Sequence, residues 1–204
     1  MKHPIVVAIT GASGAVYAVR LIDLMIKNQI QVHLTISPSG AQVIQQELGR
    51  TVDLDSFNLT DLLPECENAE SLVYHRYDDF MTPIASGSFR TAGMVIVPCS
   101  GTTLSGIACG TSNNLIQRAA DVHLKERRKL ILVPRETPLS LVHLENMQKV
   151  TLAGAVVLPA SPGWYHGARC LEDLVDFIVG RILDQLDYDN NLIDRWGIQK
   201  ETPQ

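Results

Sequence analysis

The residues with the clearest chemical purpose are Thr10-Gly11-Ala12-Ser13-Gly14-Ala15, small side chains that close an apolar run and open a helical one. Small residues there let backbone N–H groups approach an anion at the positive end of the helix, although a tight turn packed for its own sake fits the same residues. The spacing is not G-x-G-x-x-G, and Ser37 stands at the end of the second apolar run, about 20 residues on, where an NAD-binding chain carries an acid. A mononucleotide therefore suits this turn better than NAD. Arg118 and Lys125 form a second group. On a helix they share one face about 10 Å apart, with Asp121 between them. That is ordinarily a solvated, salt-bridged stripe, and Arg127 and Arg128 beside it point to surface exposure. Arg135 and Glu136, in contrast, directly follow a buried-type apolar run, where charge has little reason to be unless something binds. The loop Pro162-Gly163-Trp164-Tyr165-His166 offers a phenol and an indole, as part of a site or as a lid on the core. Arg181, set among Ile178, Ile182 and Leu186, is expected to be paired, ligand-bound or snorkelling to water.

These groups need a scaffold that brings them together. Five runs read as buried parallel strands, at 5–9, 32–36, 94–97, 130–133 and 155–158, and each is followed by one of the small or charged clusters. Helical patterns follow from about 14 to 28, 39 to 48 and 114 to 127. Leu141, Leu144, Met147 and Val150 recur at helical spacing, as do Leu171, Leu174, Val175, Ile178, Ile182 and Leu186. Strands alternating with helices predict a single α/β domain over 1–204, with a doubly wound, mainly parallel sheet of Rossmann-like or flavodoxin-like kind. In such sheets ligands lie beyond the carboxyl ends of the strands, so the clusters are expected to converge there. The stretch 49–79 reads as a polar excursion, 100–114 as a Gly/Ser/Thr-rich segment, and the tail from about 188 as peripheral apart from Trp196.

Composition narrows the function classes. The chain has 204 residues, 46% of them hydrophobic, and a net charge of -5, which gives no general attraction for nucleic acid or an anionic membrane. The apolar run at the amino end stops at Gly11, too short for a signal peptide or a membrane span, so a cytoplasmic protein is expected. Cys66, Cys99, Cys109 and Cys170 lack C-x-x-C spacing and the six histidines lack ligand spacing, so neither a disulfide framework nor a metal is expected. Cys99 and Ser13 are conceivable nucleophiles, but no histidine with an orienting carboxylate stands at a recognisable spacing.

Taken in order, the motifs resemble the UbiX-type flavin prenyltransferases, within the wider group of homo-oligomeric flavin-containing proteins. The resemblance runs through TGASGA at 10–15, IS at 36–37, Glu47, ASGS at 85–88 and PCS followed by TLSG at 98–106. It continues through NNLIQRAADVHLKERRKLILVPRETPL at 113–139, HLENM at 143–147, PGWYH at 162–166 and RW at 195–196. It implies reduced FMN as prenyl acceptor, dimethylallyl phosphate as donor, no metal, and a prenylated flavin handed to a UbiD-type decarboxylase. By the same resemblance Gly11, Ala12, Ser13, Ser37, Ser100, Gly101, Thr102, Thr103 and Arg135 match flavin-binding positions. Tyr165 and Arg181 match prenyl-phosphate positions, and Ser13 with Glu47 matches a proton-relay pair. Loss of phosphate from an allyl carbon needs cations and a proton donor, roles open to Lys125, Arg118, Arg135, Tyr165 and Arg181 with Glu136 as the acid.

The resemblance further implies a site completed between subunits of a homododecamer, with Ser86 and Gly87 of the ASGS loop approaching a neighbour's flavin. Two positions depart from the pattern: Phe80 where relatives often carry tryptophan, and Pro38 where many carry lysine. An FMN-dependent cysteine-type decarboxylase and a non-catalytic flavin carrier are the alternative readings. The first lacks its histidine and Asn signature here, and the second leaves Lys125, Glu136, Tyr165 and Arg181 without a purpose.

Overall fold

A computed structural model of the chain describes residues 3–66, 69–193 and 197. Its elements are β1 (Ile5–Ile9), α1 (Ala15–Lys27), β2 (Val32–Ile36), α2 (Pro38–Leu48), α3 (Leu59–Leu62), β3 (Leu72–Tyr74), β4 (Gly93–Cys99), α4 (Gly101–Ala108), α5 (Leu115–Lys125), β5 (Lys129–Pro134), α6 (Leu141–Leu152), β6 (Val156–Val157) and α7 (Leu171–Gln185). The six strands form one sheet in the order β3-β2-β1-β4-β5-β6, with every neighbouring pair parallel.

β1, β2 and β4 are buried along their whole length, as continuous apolar runs covered on both faces must be. On one face α1, α2 and α7 contribute Leu21, Ile22, Met25, Ile44, Ile178 and Ile182 to the core. On the other, α4, α5 and α6 contribute Leu104, Ile116, Ala119, Ala120 and Val150. The doubly wound, parallel α/β expectation therefore holds.

Three elements depart from the sequence reading. β3 lies inside the stretch read as a polar excursion. It is a three-residue edge strand with only partial burial, too short and too wet to leave an apolar run. Without it the strand order would be that of a flavodoxin-like sheet, and with it the order is Rossmann-like. α4 occupies part of the Gly/Ser/Thr-rich segment. Ser100 caps it by accepting the Thr103 N–H at 3.3 Å, and Leu104 and Ile107 anchor it. β6 is a ladder of two residues rather than four; beyond it the Leu158 N–H reaches Leu132 O at 2.8 Å and the Ala160 N–H reaches Pro134 O at 2.9 Å, so backbone pairing with β5 runs on past Pro159, which lacks an N–H.

The expected helical stripe of α6 is buried only in its second half, partly at Met147 and fully at Val150. Leu141 is 70% exposed and Leu144 50%, while Asn146 and Val150 are buried where α6 packs on α4. Val142 and Leu139 extend this uncovered apolar stretch.

α1, α2 and α4 begin at the carboxyl ends of β1, β2 and β4, which lie side by side. Three helix N-termini thus open toward one rim, and the connections reverse direction between β1 and β4, the place where such sheets hold ligands.

Candidate functional site

At this rim the β1 and β4 loops are tied together. Thr10 Oγ1 donates to Pro98 O at 2.7 Å and accepts the Ser100 N–H at 2.8 Å. Gly11 is a close approach: a Cβ there would lie 2.5 Å from Ser39 Oγ in the first turn of α2. Ser37 is buried and caps α2 by accepting the Gly40 N–H at 3.0 Å. Ser100 donates its hydroxyl to Thr103 Oγ1 at 3.0 Å. The hydroxyls of Ser37 and Ser100 thus serve their own caps and fix the helix starts, which favours backbone N–H groups as the anion-facing donors.

Gly14, with φ of 117°, turns the chain into α1. The N–H groups of Gly14 and Ala15 donate to Glu47 at 3.0 and 2.9 Å, so this carboxylate covers the start of α1. Burial works against its charge. Hydrogen bonds from Ser13, Gly14 and Ala15, with the nearby Arg135 guanidinium, outweigh burial and hold Glu47 below the usual carboxylate range. It is therefore an ionised acceptor, with an exposed Ser13 hydroxyl as its outward neighbour.

Arg135 comes from the end of β5. Its Nε is buried and has no hydrogen-bond partner, a costly state for a guanidinium N–H that a bound anion would relieve. Arg135 and Glu136 also border a hollow of about 250 Å³ with Leu139, Met147 and Ser161. Glu136 is exposed.

His143 was not singled out from the sequence. In the first turn of α6 it accepts the Ser140 N–H on Nδ1 at 3.2 Å, which leaves the N–H of the neutral ring on Nε2. That edge faces the start of α4: a Cβ on Gly101 would lie 3.1 Å from Nε2. The Ser140-x-x-His143 spacing at a helix start was the available signal.

Two aromatic residues follow β6, on the face of the sheet that carries α7. Tyr165 packs edge-on against Phe177, with ring centroids 5.7 Å apart, in space that Gly163 leaves open. Tyr165 and Trp164 are both largely exposed. Cys99 is buried, and burial pushes its thiol up to about 12, which removes it as a nucleophile.

The remaining residues do not join this rim within one chain. α5 ends at Lys125 just before β5 begins, whereas Arg135 follows the end of β5, roughly 20 Å away along the strand. Lys125 instead lies against the 85–88 loop, since a Cβ on Gly87 would come within 2.9 Å of its Nζ, and it pairs with Glu126 at 2.5 Å. Ser86 and Ser88 share a hydroxyl contact of 2.9 Å in that loop. Arg118 donates to Ala85 O at 3.0 Å and pairs with Asp121 at 3.1 Å. Arg128, expected at the surface, has a side chain only 16% exposed and is bound to loop carbonyls.

Arg181 lies about 15 Å along α7 from Leu171, on the other face of the sheet. It is exposed and paired with Asp184 at 2.9 Å, so its stem snorkels past the apolar stripe instead of pointing at the rim. Convergence within one chain is thus confined to the rim: Ser86, Gly87, Arg118 and Lys125 form a second patch, and Arg181 stands apart. Trp196 and the RW pair at 195–196 lie outside the described residues. Among the described residues, no group of three His, Cys, Asp or Glu side chains is placed to hold a metal ion, and no helix is long and apolar enough to cross a membrane.

Comparison with known proteins adds a match to the family model described as Flavoprotein over residues 1–183. The flavin prenyltransferase UbiX of Halalkalibacterium halodurans is 48% identical over 195 residues, covering 96% of this chain and 94% of that protein. Among solved structures, AnUbiX in complex with FMN and dimethylallyl pyrophosphate superposes with a TM-score of 0.86 at 40% identity, covering 98% of this chain and 100% of the other. A dodecameric FMN-dependent UbiX-like decarboxylase from Escherichia coli superposes with a TM-score of 0.83 at 38% identity, covering 96% and 99%.

Proposed function

The chain belongs to the flavoprotein family and, within it, to the UbiX-type flavin prenyltransferases, and from that premise we propose that it transfers a dimethylallyl group from dimethylallyl phosphate to reduced FMN in a site completed by a second copy of the chain. The observation that carries this reading is Arg135, whose buried, unpartnered Nε stands beside ionised Glu47 at a rim where three helices begin.

The residues of the rim fit a flavin mononucleotide. Backbone N–H groups of Gly11, Ala12 and Ser13, and of Gly101 and Thr102, are free of strand pairing at two helix starts, where peptide dipoles favour an anion, while the Thr103 N–H is held by the Ser100 cap. Ser37 and Ser100 hold those starts in place, and Arg135 supplies a guanidinium N–H. When bound, the reduced flavin supplies N5 to displace phosphate from the allyl carbon and C6 to close the new ring onto the alkene end.

The chain's own groups handle charge and protons. The carbon–oxygen bond of the donor breaks with its electron pair going to phosphate, so the leaving oxygens need cations and a proton. Lys125 supplies a cation with Arg118 supporting it, Tyr165 a neutral donor and Glu136 the proton; Arg181, paired with Asp184 and turned away from the rim of its own chain, serves as a second cation where assembly brings another copy against it. Ser13, beside Glu47, passes the proton lost on ring closure to a carboxylate that is already ionised and able to accept it. Because Lys125 and the 85–88 loop lie at the far end of β5 from Arg135, a neighbouring copy brings them to the rim. The exposed Leu141, Val142 and Leu144 give α6 an apolar surface for that association, and a dodecamer is the assembly we propose. The prenylated flavin then leaves for a UbiD-type decarboxylase, and the whole takes place in the cytoplasm.

Anaerobic incubation with FMN, a reductant and dimethylallyl phosphate tests the reading by mass spectrometry. The flavin is expected to gain one dimethylallyl unit. Unchanged flavin mass, with FMN bound and the donor intact, would overturn it.

A further inference from the structure

The 85–88 loop is held from behind by two arginines of the α5 region. Arg118 Nε donates to Ala85 O at 3.0 Å. Arg128 spans the following turn, with Nη2 on Gly87 O at 2.5 Å and Nη1 on Phe89 O at 2.7 Å. A planar guanidinium can bridge two carbonyls in fixed geometry, whereas a lysine ammonium acts as a point charge without that fork.

Arg128 also reaches the group that orients Lys125. Glu126 Oε2 lies 3.9 Å from Arg128 Nη2, and Glu126 Oε1 lies 2.5 Å from Lys125 Nζ. One carboxylate therefore stands between a mostly buried guanidinium and an ammonium that is 47% exposed. The loop packs onto this pair so closely that a Cβ on Gly87 would overlap Glu126 Oε1 and approach Lys125 Nζ within 2.9 Å. Backbone, carboxylate and ammonium are thus set by the same guanidinium, and the two serine hydroxyls stand on the loop beside them.

We propose that Arg128 is a positioning residue for the donor phosphate. It fixes the 85–88 loop and, through Glu126, the Lys125 ammonium, so that Ser86, Ser88 and Lys125 are presented to a neighbouring copy as one anion-binding surface. The proposal rests on the reading that Lys125 meets the donor phosphate. Arg128 itself touches no substrate.

The test uses the full-length, assembled, FMN-loaded protein with Arg128→Lys and Arg128→Met. Steady-state kinetics in dimethylallyl phosphate are expected to show KM raised about tenfold or more in Arg128→Met, as loss of hydrogen bonds to a charged group implies, with partial rescue in Arg128→Lys. FMN affinity and sedimentation are expected to stay at wild-type values. A merely structural role would lower the melting temperature and the active fraction with KM unchanged, and that result overturns the proposal. Should Arg128→Met fail to fold, Arg128→Lys carries the same comparison. Calorimetric binding of inorganic phosphate to the FMN-loaded protein reads the surface without turnover. Binding weakened in Arg128→Lys supports the proposal even if the wild type fails to prenylate FMN, in which case the functional reading alone falls. Phosphate affinity equal in wild type and Arg128→Lys overturns the proposal.

Discussion

The rim formed by the starts of α1, α2 and α4 and the patch at the end of α5 present hydrogen-bond donors by different physics. The rim works with backbone: helix starts, small residues and peptide N–H groups, with Ser37, Ser100 and Thr103 hydroxyls engaged in holding those starts. The patch works with charged side chains whose partners are loop carbonyls and one carboxylate. A flavin phosphate whose charge is unchanged by the reaction suits a surface preorganised by the fold, whereas a phosphate that must gain charge and leave suits formal cations. Both regions exist in one chain, but they lie apart along β5, and in the proposed reaction they meet only through a second copy.

The largest expected effect tests this division. Lys125→Gln should lower kcat by about 100- to 1,000-fold, the scale seen when one donor to developing charge is removed, while FMN binding stays as it was. Arg135→Gln should instead weaken FMN binding, measured by flavin fluorescence quenching. Equal loss of FMN affinity in both variants would erase the distinction.

Glu47→Gln comes next. The amide oxygen still accepts from Gly14 and Ala15, so the melting temperature should move little, but turnover should fall about 100-fold with loss of the proton acceptor. Because the folded carboxyl group titrates below its ordinary value, Glu47 adds stability above pH 4.5, and the gain is lost only as pH falls through its lower folded value. A turnover decline from deprotonated Glu47 becoming protonated near pH 6 would contradict that assignment.

A third prediction separates the regions by acid sensitivity. Buried histidines lie behind the loop of the patch. His33 stacks on His75 and meets Phe89, and His123 bonds to Thr91 at 2.7 Å. Burial, with a smaller contribution from His75, lowers His33 to about 4. Burial chiefly, aided by Arg128, lowers His123 to about 4 as well. Below pH 6.5 the unfolded chain takes up protons that these folded rings refuse, so stability falls as pH drops from 6.5 toward 4. Between pH 6.5 and 5 the His123 share is roughly 2 kcal/mol. Urea unfolding at the two pH values should show a smaller difference in His123→Gln; an unchanged difference would reject the cause.

The smallest effect is expected at Gly87. Gly87→Ala forces Glu126 and Lys125 to shift, and KM for dimethylallyl phosphate should rise roughly tenfold without change in FMN affinity.

The rim was legible in the sequence because its strands are long apolar runs and its turns follow them directly. β3 was not, being a short, half-wet edge strand, and α4 was hidden by its glycine, serine and threonine content. Side-chain partners were less legible still. Helical spacing places Arg118 and Lys125 on one face but is silent about the carbonyls of a loop over 30 residues earlier that Arg118 and Arg128 bind. The same limit hid His143, whose ring meets Gly101 only through tertiary packing of α6 on α4. Arg181 shows the reverse: its apolar neighbours in sequence suggested burial, yet the helix turns it outward to Asp184.

Co-assembly of two variants, assayed at an FMN concentration at which neither turns over alone, tests the shared site most directly. Arg135→Gln and Lys125→Gln chains, refolded or co-expressed at equal ratio, should recover about a quarter of wild-type prenylation, because random mixing pairs an intact rim with an intact patch in about one site in four. Mixtures as inactive as either variant alone, in oligomers shown to contain both chains, would mean that rim and patch act within one copy and would contradict the account.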